Sequence, residues 1–254
     1  MKWLLARAQR SLLADLASAG PVLVFDFDGV LAPIETRPSL AGLRPRIRGL
    51  LGQLCRSYAC AVISGRSLAS LRARLRGIPF ACLVGNHGSE WARPDPREAR
   101  WRRLVRGWRG PLAGLTAVPG VEIEDKRLSL SVHYRRAPNR QVARRGILRA
   151  CEGLEGARIV GGSCVVNVIP TGAIDKGRAL RMICARLRRS TAFFLGDDVT
   201  DEDAFRLRGS WPGLLTARVG RSRASRAAYF LRRQEEVAEL LELLSAAGPL
   251  RLDR

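Results

Sequence analysis

Five aspartates carry the first chemical signal in this chain of 254 residues. Asp26 and Asp28 stand at i and i+2 in Asp26-Phe27-Asp28-Gly29, and Asp197, Asp198 and Asp201 follow far downstream. Gathered in one place, these carboxylates repel and cannot all stay ionised without a cation. An all-oxygen donor set with room for water and phosphate suits Mg²⁺ better than the softer Zn²⁺. Ser64-Gly65-Arg66 adds a hydroxyl and backbone N–H groups at a helix start, and Asp175-Lys176-Gly177 adds an ammonium at another. With the cation, these groups would hold a phosphate. Asp26, at a rigid strand end, is the candidate nucleophile, attacking phosphorus to give an aspartyl phosphate. Asp28, in the turn, is the candidate acid/base that protonates the leaving oxygen and later activates water. The chain has no P-loop sequence, and an EF-hand is excluded because the glycine after Asp28 comes fourth rather than sixth in the loop.

These residues converge only if the elements beneath them do. Pro21 to Phe25, Ala59 to Ile63 and Ala192 to Leu195 are short apolar runs that read as strands covered on both faces. Each runs into one of the reactive segments, so in a parallel sheet all three share the edge where open α/β sheets bind ligands. Helical patterns follow at Ser67 to Leu75, at Gly177 to Leu187, and at Val237, Leu240, Leu241 and Leu244. The pattern predicts a doubly wound parallel-sheet α/β core. Between its halves the texture changes. Trp91 to Arg109 reads as a linker and a helix; Leu128, Leu130, Val132 and Tyr134 alternate like a strand with one wet face. A helix over 141–151 and a hairpin turning at Gly161 and Gly162 complete an α+β module. The expected division is core at 1–92 and 169–254, and an inserted cap at 93–168.

The composition, 46% hydrophobic and 26% charged, excludes intrinsic disorder. The longest charge-free stretch, 159–174, is too short to span a bilayer and holds Pro170. Arg7, Arg10 and Asp15 interrupt the apolar run at the N-terminus, which reads as an amphipathic helix in an unexported, cytoplasmic protein. The net charge of +21 comes from arginine, since Lys2, Lys126 and Lys176 are the only lysines. Its even spread reads as compositional bias rather than a nucleic-acid stripe, so no specific nucleic-acid partner is expected. Six cysteines without metal-type spacing read as buried reduced thiols.

Asp26-Phe27-Asp28-Gly29-Val30, Ser64-Gly65-Arg66, Asp175-Lys176-Gly177 and Gly196-Asp197-Asp198-Val199-Thr200-Asp201-Glu202 resemble, in order, the four motifs of the haloacid dehalogenase superfamily. Gly85-Asn86-His87-Gly88-Ser89-Glu90, the segment Glu124 to Arg135 and the segment Gly196 to Phe205 narrow the resemblance to trehalose-6-phosphate phosphatases, over about residues 20 to 245. The resemblance implies a Mg²⁺-dependent phosphatase with an inserted C2-type cap. Asp26 then matches nucleophile and metal ligand, and Asp28 matches an acid/base whose backbone carbonyl binds metal. Asp197 matches the third ligand and Asp201 the acid supporting the metal site. Ser64, with Gly65, and Lys176 match the phosphate-binding set. Glu124 and Lys126 match sugar-contacting cap positions, and His87, Gly88 and Glu90 match a core loop facing the cap. Arg66 and Asn167 complete the candidate substrate-side residues. Val30 stands for the commoner threonine, Asn167 for the family's usual glutamate and Ile169 for a usual basic residue.

The implied substrate is trehalose 6-phosphate, with glucosylglycerol phosphate or sucrose phosphate as alternatives and an arginine-rich nucleic-acid binder as the rival from another class. A monomer is expected, with association with a trehalose-phosphate synthase as a further expectation. Plainer readings stand beside these: residues 200–203 as a capping box, His87 and His133 as satisfied structural histidines, and the tryptophans at 91, 101 and 108 as packing groups.

Overall fold

The computed structural model describes residues 1–35 and 40–248. Residues 36–39 and 249–254, which fall within the expected core halves, lie outside the described residues. The strands are β1 (Lys2–Trp3), β2 (Val22–Phe25), β3 (Cys60–Ile63), β4 (Cys82–Val84), β5 (Glu122–Asp125), β6 (Leu130–His133), β7 (Ala157–Gly162), β8 (Val165–Pro170), β9 (Ala192–Gly196), β10 (Leu214–Val219) and β11 (Tyr229–Leu231). The helices are α1 (Arg10–Ser18), α2 (Pro45–Ser57), α3 (Leu68–Arg74), α4 (Glu98–Leu112), α5 (Arg140–Ala150), α6 (Lys176–Arg186), α7 (Glu202–Phe205) and α8 (Glu236–Ala246).

The larger sheet has seven strands in the order β1-β11-β10-β9-β2-β3-β4, all parallel. β2 is buried end to end because both faces are covered. Leu23 and Phe25 pack with Leu13, Leu51, Leu54 and Leu240 under α1, α2 and α8. Val22 and Val24 pack with Leu180, Ile183 and Phe205 under α6 and α7. Each such side chain contributes about 1.5–3 kcal/mol of burial. From β2 the chain winds outward through β3 and β4, and on its return from β9 it winds the other way through β10 and β11. The order therefore reverses between β2 and β9, which opens the crevice that places Asp26 beside Asp197.

The second sheet is antiparallel, in the order β5-β6-β8-β7. Leu130, Val132, Val166 and Val168 on one face pack against Val105, Trp108 and Leu112 of α4 and Ala143 and Ile147 of α5. The period-2 alternation turns the other face, with Glu122, Glu124, Ser131, His133 and Asn167, away from those helices.

Three expectations are corrected. Lys2 and Trp3 form an edge strand beside β11 rather than opening the helix, which starts only at Arg10. Two residues are too few to show a strand period. Gly161 and Gly162 end β7, and the turn falls on Ser163 and Cys164, with Cys164 at φ +60. All six cysteines are free, though only Cys60, Cys151 and Cys184 are fully buried. The tryptophans follow the plainer reading: Trp91 and Trp101 pack into the core of the larger sheet and Trp108 beneath the smaller one.

Candidate active site

The reactive segments meet at the carboxyl edge of the parallel sheet. Asp26 follows β2 directly and is 5% exposed; its Oδ1 accepts from the Phe27 N–H at 2.7 Å. Lys176, the first residue of α6, is 1% exposed and lies between two carboxylates. Its Nζ is 3.0 Å from Asp26 Oδ2 and 2.7 Å from Asp201 Oδ1. The other oxygen of Asp201 accepts from the backbone N–H groups of Asp197 and Asp198, at 2.8 and 2.9 Å. Asp201 thus caps the turn that carries Asp197 and pins Lys176; the capping box falls on Asp198 and Asp201 rather than on residues 200–203.

Burial pushes the Asp26 carboxyl up to about 7, with Asp201 and Asp28 adding to the effect and Lys176 opposing it. Burial and the neighbouring Asp26, Asp201 and Asp198 push Asp197 well above the carboxylate range. Lys176, although burial opposes its charge, is held protonated by Asp201 and Asp26. One ammonium among these carboxylates leaves excess negative charge in a dry place. Oxygens of Asp26, Asp197 and Asp201 come within 4.8 Å of one another, and Asp197 Oδ1 is buried without a hydrogen-bond partner among the described residues. A hard divalent cation fits this donor set. Asp201, with both oxygens engaged, braces the site more than it offers a ligand.

Asp28 projects into the cleft from the turn after β2. Arg66 forks both of its oxygens, Nε to Oδ2 at 2.8 Å and a terminal nitrogen to Oδ1 at 2.6 Å, while its guanidinium stacks over Phe27. Ser64 directly follows β3 and is buried, its Oγ accepting from the Arg66 N–H at 3.2 Å. A Cβ on Gly65 would strike the His87 ring at 2.5 Å, so only glycine lets the two segments approach.

The loop after β4 divides the residues expected to face the sugar. His87 lines the cleft at φ +58 and 7% exposure; burial and the charges of Lys126, Lys176 and Arg158 keep it neutral. Among the described residues neither ring nitrogen meets a hydrogen-bond partner within bonding geometry, unlike the satisfied structural histidine of the plainer reading. Glu90 and Gly88 do not reach the cleft. Glu90 Oε2 accepts from the Leu68 N–H at the start of α3 and from Asn86 Nδ2, both at 2.7 Å. Gly88, at φ +118, packs on the Asp175 carbonyl, where a Cβ would approach to 2.5 Å.

Opposite this edge stands the polar face of the antiparallel sheet. Glu124 Oε2 lies 3.0 Å from His133 Nε2 and 3.5 Å from Lys126 Nζ; burial alone would raise this carboxyl, but these partners bring it down to about 2. Lys126 Nζ donates to Ser131 Oγ and Ser131 Oγ donates to Asn167 Oδ1. Between the two walls lies a cleft that is partly open to solvent. It also brings in Asp198, one of the five aspartates, and Glu122, His133, Arg135, Arg136 and Thr200, which sequence reasoning does not assign to the site. Strand alternation is the available signal: Ser131 and His133 fall between the apolar residues of β6, hence on its wet face.

Residues 24–109 and 112–233 match the trehalose-phosphatase family description, most of the chain's length. The chain belongs to the trehalose-phosphatase family. A trehalose-phosphate phosphatase of Mycobacterium avium is 35% identical over 203 residues, covering 75% of this chain and 52% of its own length. One from Mycobacterium tuberculosis (strain H37Rv) is 32% identical over 255 residues, covering 92% of this chain and 63% of its own. The chain thus spans about half to just under two thirds of these curated relatives. Among solved structures, the C-terminal domain of a trehalose-6-phosphate phosphatase from C. albicans superposes with a TM-score of 0.82 at 22% identity, over 94% of this chain and 98% of that one. The shared fold is the parallel-sheet α/β core with the antiparallel α+β module set into it. No helix among the described residues is long and apolar enough to cross a membrane.

Proposed function

We propose that this trehalose-phosphatase family member is a phosphatase that hydrolyses trehalose 6-phosphate, with Asp26 as nucleophile, and that residues 93–168 act as a cap presenting the sugar-binding wall. One observation carries the reading: a buried nucleophile–ammonium–carboxylate cluster faces a wall of hydrogen-bonding groups across a single cleft. The first set suits a phosphoryl group, the second a polyhydroxylated leaving group.

Mg²⁺ would be held by Asp26, the Asp28 carbonyl and Asp197, with Asp201 bracing them, and when bound it would offset charge on the phosphoryl oxygens. Lys176, Ser64 and the Gly65 N–H would bind the phosphate and fix its orientation. The Asp26 carboxylate attacks phosphorus as the bond from phosphorus to the sugar oxygen breaks. Asp28 gives its proton to that oxygen, which requires one arm of the Arg66 fork to open. Asp28 then takes a proton from water, whose oxygen attacks phosphorus and releases inorganic phosphate and Asp26. Glu124, Lys126, Asn167 and His87 would meet sugar hydroxyls.

Phosphate release from trehalose 6-phosphate, glucosylglycerol phosphate and sucrose phosphate, ranked by kcat/KM, tests the substrate. Release that needs Mg²⁺, stops with chelator and ranks trehalose 6-phosphate first is the expected result. Full activity in chelator contradicts the metal, and another sugar ranked first replaces the substrate.

A further inference from the structure

The chain of contacts behind Glu124 has a beginning that the reaction as described leaves idle. His133 lines the same cleft, and its ring nitrogen Nε2 meets Glu124. Register pairs Glu122 with His133 and Glu124 with Ser131 across β5 and β6, so His133 and Glu124 are diagonal neighbours on one face. The Glu124 carboxylate is ionised and can only accept, so the His133 nitrogen at 3.0 Å must carry the proton it shares. Lys126 Nζ lies 3.5 Å from the same oxygen, Oε2, and is itself anchored to Ser131. Oε1 takes no hydrogen bond among the described residues. The other charged groups of this wall are committed elsewhere: Glu122 pairs with Arg136, and Arg135 donates to the Ser163 carbonyl at 2.7 Å.

We propose that His133 is a positioning residue for sugar recognition: by holding Oε2 of Glu124, it presents Oε1 to a substrate hydroxyl. This rests on the sugar-phosphate reading above. The Glu124 side chain is 45% exposed, and an exposed glutamate samples many rotamers that binding must freeze. A rigid imidazole with two torsions holds one of them in advance, so binding loses less freedom. Lys126 alone is a poor substitute, being longer, more flexible and farther away.

The test uses the full chain with trehalose 6-phosphate and with p-nitrophenyl phosphate, whose leaving group has no hydroxyls for this wall. His133→Leu is expected to raise KM for the sugar phosphate about 10-fold, kcat staying within about twofold, as one side chain's lost preorganisation implies. Activity on p-nitrophenyl phosphate should not change, which also reports that the variant folds. His133→Gln, whose amide can still donate, should recover most of the loss. In a Glu124→Gln background, His133→Leu should add less than about twofold, since two members of one unit are not additive. An unchanged KM, a parallel fall on p-nitrophenyl phosphate, no recovery in His133→Gln, or multiplied effects in the double variant overturns the proposal while leaving the substrate reading intact. A wild-type chain active on p-nitrophenyl phosphate but on no sugar phosphate overturns both.

Discussion

The two walls of the cleft are built on opposite electrostatic principles. On the parallel-sheet side, Asp26, Asp201 and Lys176 are almost wholly buried and crowded, and the Asp26 and Asp197 carboxyls are pushed upward by burial and by their neighbours. On the antiparallel side, Glu124 is half exposed and pulled down to about 2 by His133 and Lys126, within a network that is nearly satisfied internally. The first wall stores unfavourable charge that a cation and a phosphate would relieve; the second offers groups already oriented by their neighbours. Rate should therefore depend on the first wall and selectivity on the second.

The comparison breaks most readily at Asp26. Asp26→Asn should lower kcat more than about 10³-fold on every phosphate ester if Asp26 is the nucleophile proposed above, while KM moves little. Retained turnover in a phosphate-release assay would remove the first wall's role. Lys176→Met strips a buried cation from two buried carboxylates and should cost about 3–5 kcal/mol of stability in metal-free buffer, read by urea unfolding, with added Mg²⁺ restoring part of it.

Two further changes sharpen the division. Asn167→Glu adds a carboxylate where Asn167 now accepts from Ser131, and should shift relative kcat/KM among sugar phosphates toward trehalose 6-phosphate about 10-fold, without changing p-nitrophenyl phosphate. Gly162→Ala should cost about 1–3 kcal/mol in a thermal melt, because its Cβ would come within 2.7 Å of Asp198 Oδ2 and force the β7–β8 hairpin off the parallel-sheet wall. The smallest effect concerns pH. Glu124 has a folded value depressed to about 2 from 4.5, so its contribution is complete above 4.5 and is lost as pH falls toward 2. Between pH 6 and 3, wild type should therefore lose a few tenths of a kcal/mol more stability than Glu124→Gln, a small amount because the group is half exposed.

Much of the first wall is legible in the residue order alone. Asp26, Ser64 and Asp197 each follow a short apolar run, and strands of one parallel sheet end on one edge, so local order implies convergence. Lys176 is visible because it opens a helix behind Asp175, which caps it. The second wall is half legible. Alternation along β6 shows a wet face, yet His133 looks like an isolated histidine because its partner lies on β5, nine residues away across an antiparallel register. Glu90 misleads for the converse reason: its sequence neighbours point to the cleft, and only the packing of α3 against the loop after β4 shows that its carboxylate is spent on the Leu68 and Asn86 N–H groups.

By itself the sequence determined which residues end the core strands, and hence the chemistry concentrated on one edge, because strand identity and direction follow from short-range apolar patterning. Which oxygen of which side chain stays available was decided only by tertiary structure. Hydrogen-bond saturation depends on partners brought from distant strands, and a carboxylate such as Asp201, Glu90 or Glu124 has the same local sequence signal whether its oxygens are engaged or open.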